Sequence, residues 1–116
     1  MRRVALIALT ISFFVAVAIL VGGLIPRDFD GGSIRRDGPY LHAAAFALLV
    51  LPLVSAWPRR WLVIVLGAIL FGGAIEVLQP TFDRALEWSD IVANTVGAVS
   101  GAILGTLLSK VSRRLS

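Results

Sequence analysis

Long apolar runs alternate with short polar connections along this chain. After Arg2 and Arg3 no charged residue appears until Arg27, so residues 4–25 form one unbroken apolar run. At 1.5 Å per residue, such a run crosses a hydrocarbon core ~30 Å thick. Further runs cover residues 41–57, 61–79 and 90–109. The pattern predicts four helices at these positions. A loop over 26–40, a tight turn around Trp57-Pro58-Arg59-Arg60-Trp61 and a loop over 80–89 connect them. Gly31-Gly32, Gly38-Pro39 and Pro80 punctuate the connections. Pro39 suits the first turn of a helix, where its missing N–H costs nothing. Ser89 or Asp90 is expected to cap the fourth helix, with the carboxylate at the positive end of its dipole. Ala16-Val17-Ala18 resembles a leader-peptidase site. The apolar run continues well past it, so a retained helix is expected.

Composition changes the solvent. The chain has 116 residues, enough for a single domain over 1–116, and 58% of them are hydrophobic. Its mean hydropathy is +0.90. Soluble domains usually hold about 45–50% apolar residues, and a chain this short lacks the interior to hide the excess. An all-α integral membrane protein with four transmembrane helices is therefore expected, with the lipid bilayer as its main partner. There is no cysteine, which excludes disulfides, thiolate metal ligands and a cysteine nucleophile.

Charge then chooses the sides. If four helices cross in alternation, Arg2, Arg3, Arg59, Arg60, Lys110, Arg113 and Arg114 share one side, with no acidic residue among them. All seven acidic residues and the remaining arginines fall toward the other. The positive-inside rule puts both termini in the cytoplasm and both longer loops outside, for a multi-pass protein of the inner (plasma) membrane. Trp57 and Trp61 bracket two arginines, as interfacial anchoring favours. The basic residues come in pairs at run ends and form no continuous stripe, so a nucleic-acid partner is not expected.

This topology gathers His42, Glu76, Gln79, Asp83, Arg84, Asp90 and Asn94 at the outer face. Glu76, Asp90 and His42 are the candidate catalytic groups, and Gln79, Arg84 and Asn94 the candidate binding groups. Each has a structural alternative. Glu76 can pair with Arg84, Asp90 can serve as a cap, and Gln79 and Asn94 can be interhelical hydrogen-bond glue. One histidine with carboxylates can bind a metal in principle, but no spacing demands it, so neither metal nor cofactor is expected. Gly97, Gly101 and Gly105 continue the Asp90 face as a tandem G-x-x-x-G series, expected to pack against a neighbouring helix. The short 80–89 connection points to helix three as that neighbour. Phe29 and Tyr40 offer apolar anchors by which the loop over 26–40 is expected to fold over the cluster.

Glu76-x-x-Gln79, Arg84, Asp90, Asn94, Gly97 and Gly101, in this order, resemble the hallmark of the VanZ-like family. His42 with Phe46 resembles that family's other motif. The likeness extends over residues 4–109. One departure stands out: relatives commonly carry an Asp-Lys pair where this chain has Gly38-Pro39, with Asp37 displaced by one position and Arg35 or Arg36 as alternative cations. The resemblance implies a small bacterial membrane protein with an envelope-related role, in a family named for a member associated with teicoplanin resistance.

Three functions follow as expectations. The leading one is a non-enzymatic or accessory protein whose outer cluster engages a cell-wall precursor, a lipid-linked headgroup or a glycopeptide antibiotic. The second is a membrane-embedded enzyme using Glu76, Asp90 and His42 on a lipid-soluble substrate. The third is a structural subunit packing through its glycine stripe against another membrane protein.

Overall fold

A computed structural model describes residues 2–24, 38–78 and 88–115. Among these residues there are four α-helices and no strand: α1 (Arg2–Leu24), α2 (Gly38–Ala56), α3 (Trp61–Leu78) and α4 (Trp88–Leu115). A single 3₁₀ turn, Pro58–Arg60, separates α2 from α3. Trp57 leaves the helical region there, with φ −132° and ψ 69°, as a residue preceding proline favours. The helix α4 runs past the expected end at residue 109. Nothing in its last turns breaks a helix, and the sequence is basic there, as the negative end of a helix dipole favours. It also begins early, at Trp88, so Asp90 lies inside the first turn and is not the N-cap.

The molecule measures 49 × 23 × 22 Å, about one long helix by two helix diameters. Among the described residues, three stretches are long and apolar enough to cross a membrane, Arg3–Gly22, Pro58–Leu78 and Asp90–Ser112; Tyr40–Ala56 is a shorter apolar helix. Large apolar side chains stand on the outside, among them Phe13, Phe14, Val63, Leu70 and Val77. Apolar surface on that scale is suited to hydrocarbon and unsuited to water. Helix threonines satisfy their hydroxyl groups within their own helices. Thr10 donates to the Leu6 carbonyl at 2.7 Å and Thr106 to the Ala102 carbonyl at 2.8 Å.

The helix α2 is the central one. Phe46, Leu49, Val50 and Val54 of α2 form the core with Val65 and Ala68 of α3 and Ala98 and Ala102 of α4. Val50 and Val54 are fully enclosed. Pro52 interrupts the hydrogen-bond ladder of α2, and nearby Ser12 of α1 donates to the Leu49 carbonyl at 2.8 Å.

The glycine stripe packs on α2, not on α3 as the short connection suggested. A Cβ at Gly97 would collide with the backbone of Ala43; one at Gly101 would lie 2.6 Å from the Ala47 carbonyl oxygen, and one at Gly105 2.7 Å from that of Leu51. Residue numbers rise together on both helices, so α2 and α4 run parallel. Ala43 and Ala47 supply the matching small residues on the α2 side, spaced four apart. A hairpin connection governs which helix follows, but close approach goes to the surface with the smallest side chains.

Gly97→Ala or Gly101→Ala is therefore expected to destabilise the protein by about 1–3 kcal/mol, because backbone lies where the methyl must go. Gly67→Ala and Gly73→Ala, with nothing within 4 Å of the new carbon, are expected to be neutral or stabilising by up to ~1 kcal/mol. Reversible unfolding in mixed micelles checks both pairs.

Candidate functional site

The polar site forms where α2 and α4 begin and α3 ends. His42 comes from the first turns of α2, Glu76 from the last turn of α3, and Asp90 and Asn94 from the start of α4. Successive helices run in opposite directions, so these positions, and the Gly22 end of α1, share one end of the bundle. The opposite end carries Arg2, Arg3, Arg59, Arg60, Lys110, Arg113 and Arg114. Of the other expected site residues, Gln79, Asp83 and Arg84 lie outside the described residues. So does most of the 26–40 loop; Tyr40, one of its expected anchors, is 80% exposed.

The four described residues are tightly arranged. His42 Nδ1 lies 3.0 Å from Asn94 Oδ1. An amide oxygen only accepts, so Nδ1 carries the proton and donates it. The other ring nitrogen, Nε2, faces Asp90 Oδ2 at 3.6 Å, beyond hydrogen-bond range. Glu76 and Asp90 are 1% and 3% exposed. One ligand atom each from His42, Glu76 and Asp90 falls within 4.8 Å of the other two. Carboxylates are rarely buried this deeply without cations or hydrogen-bond donors to hold them, so the cluster is built for polar contact.

Gly72 makes room for this arrangement. A Cβ there would lie 2.7 Å from Asn94 Nδ2 and 3.0 Å from the Phe46 ring. Gly72 sits one helical turn before Glu76 on the same face, so the spacing was readable, but nothing marked that glycine as the seat of an amide from another helix. Phe46 repeats the logic on α2. It lies one turn below His42, is 1% exposed, and packs against Phe71 with ring centroids 6.3 Å apart.

A pocket of about 320 Å³ opens beside the cluster. Its wall is apolar, with Val15, Ala18 and Ile19 from α1 facing Ala45, Phe46 and Ile75, and its polar part is His42, Glu76 and Asn94. The contribution of α1 carries no polar marker in the sequence, and only the packing reveals it.

The His42–Asn94 contact is expected to hold the ends of α2 and α4 together. In a double-variant cycle of His42→Ala and Asn94→Ala, the two losses of unfolding free energy should fall short of additivity by about 1 kcal/mol. Strictly additive losses would mean that the contact carries no energy.

No curated protein and no solved structure matches the chain. A family model described as VanZ/LLP1 matches residues 38–109, which hold α2, α3, most of α4 and every described polar residue of the site. The match spans well over half of the sequence and, with the apolar helices, identifies a membrane protein. The chain belongs to the VanZ-like family.

Proposed function

We propose that this protein crosses the inner membrane four times with both termini in the cytoplasm, and that its outward pocket binds the polar head of a lipid-linked envelope component. The observation that carries this reading is the pocket's two-part lining, apolar along α1 to α3 and polar at His42, Glu76 and Asn94. Ligand sites of this size are mostly apolar, with a few convergent polar groups fixing orientation. A lipid-linked cell-wall precursor fits that division, its chain lying along the wall and its head at the cluster. Gln79 and Arg84, close in sequence to Glu76, would extend the polar surface toward an anionic head. A glycopeptide antibiotic would use the same head-binding groups. The glycine stripe faces α2 within the chain, so it is not the face for a second protein.

Orientation rests on charge. The end opposite the cluster is uniformly basic, which favours its retention in the cytoplasm. Single cysteines at Ser33 and Ser89 are expected to react with an impermeant reagent on intact cells, and one at Ser112 only after lysis. The reverse pattern inverts the protein.

Binding is checked by thermal shift of the purified chain in detergent with a lipid-linked cell-wall precursor. A saturable rise in melting temperature is expected. Ala18→Trp, which fills the pocket from α1 without touching the polar cluster, should remove that rise and leave the ligand-free melt near that of the parent. A precursor that stabilises both proteins equally, or neither, contradicts the proposal.

A further inference from the structure

We propose that His42, Glu76 and Asp90 form a binding site for one divalent first-row transition metal ion of the Zn²⁺ class, with Asn94 as the residue that orients the imidazole ligand. This goes beyond headgroup binding and does not depend on it, since an ion can occupy the cluster with or without a lipid in the pocket.

The hydrogen bond at Nδ1 is the starting point. With Nδ1–H committed to Asn94 Oδ1, metal binding by His42 would use the lone pair at Nε2. That lone pair faces a carboxylate oxygen, Asp90 Oδ2, at 3.6 Å. The separation is too long for a hydrogen bond. It matches two ligands on one tetrahedral ion, which stand ~3.4 Å apart when each bond is ~2.1 Å.

Glu76 completes the set. Its carboxylate reaches within 4.8 Å of both other ligand atoms, a spread that small rotations of two carboxylates close. All three groups come from helices, and the ring is fixed from behind by a partner on another helix. This is the usual device for holding a metal-binding histidine. One imidazole nitrogen, two carboxylate oxygens and no thiolate suit Zn²⁺, Mn²⁺ or Fe²⁺ better than the softer ions. Three protein ligands leave a coordination position open, and two of them, His42 and Glu76, also line the pocket. The sequence brought these three residues to one face but did not mark them as ligands, because no two of them have ligand spacing on one helix.

The test uses the full chain without a histidine tag, purified in detergent and stripped with a chelator. Equilibrium dialysis against Zn²⁺ should load one ion per chain in the presence of millimolar Mg²⁺. Glu76→Gln and Asp90→Asn, which keep side-chain shape, should each weaken binding at least tenfold. Asn94→Ala, which touches no ion but frees the ring, should weaken it by about 10–100-fold. If a carboxylate variant fails to fold, X-ray absorption of the parent protein decides the question. Scattering from one imidazole with oxygen neighbours supports the site, because the chain contains a single histidine. Zinc loading that persists in the Glu76→Gln, Asp90→Asn double variant overturns the proposal, as does a spectrum without imidazole. Wild-type protein that takes up no ion beyond the double variant's level also overturns it, and leaves an ion pair of His42 with Asp90. A metal-free protein that still binds lipid would separate the two functional readings.

Discussion

The contact on which the rest depends is the backbone approach of α4 to α2 along Gly97, Gly101 and Gly105. In lipid there is little hydrophobic force between helices, because the tails are as apolar as the side chains. What holds two helices together is close packing, and close packing needs small residues on both sides. Here Ala43 and Ala47 face Gly97 and Gly101, and a methyl group on either glycine would strike main-chain atoms. The seam sets a parallel register between helices that are far apart in sequence.

That register builds the site. His42 adjoins Ala43, the first α2 residue of the seam, and Asn94 lies one turn before Gly97, the first glycine of α4. Continuing the seam toward that end of the bundle brings the imidazole to the amide at 3.0 Å and Asp90 to the far side of the ring. Then α3 closes over the pair, with Gly72 giving space for Asn94 and Glu76 delivering a second buried carboxylate. A shift of one helical turn along the seam would separate every one of these contacts. Packing and chemistry are one constraint seen at two places along the same helix pair.

Much of this was legible in the sequence. Four apolar runs gave four helices, because a run's length and its terminal arginines leave few alternatives in a bilayer. The motif positions from Glu76 to Gly101 pointed to the family that the match over residues 38–109 establishes. The partner of the glycine stripe was harder to read. The short 80–89 connection argued for α3, and a hairpin is the safe inference when only neighbours in sequence are weighed. The signal for α2 was present in Ala43 and Ala47, but small residues in an alanine-rich helix have no unique face until their partner is known. For Asp90 the sequence left two roles open, a cap (with Ser89 as the alternative) or a site carboxylate; the helix begins two residues earlier, which removes the cap and leaves the carboxylate to the site. The wall contributed by α1 was invisible for a simpler reason: Val15, Ala18 and Ile19 look like any lipid-facing residues.

The parallel seam can be tested by oxidative cross-linking, since the chain has no cysteine of its own. One cysteine is fixed at Ala47 of α2 while a second is moved along α4 from position 96 to 108. A parallel seam gives a helical periodicity of cross-linking centred near Gly101, and moving the fixed cysteine to Leu51 shifts that centre toward Gly105. A centre that moves toward Gly97, or strong cross-linking from Ala68 of α3 to the same glycine face, would contradict it.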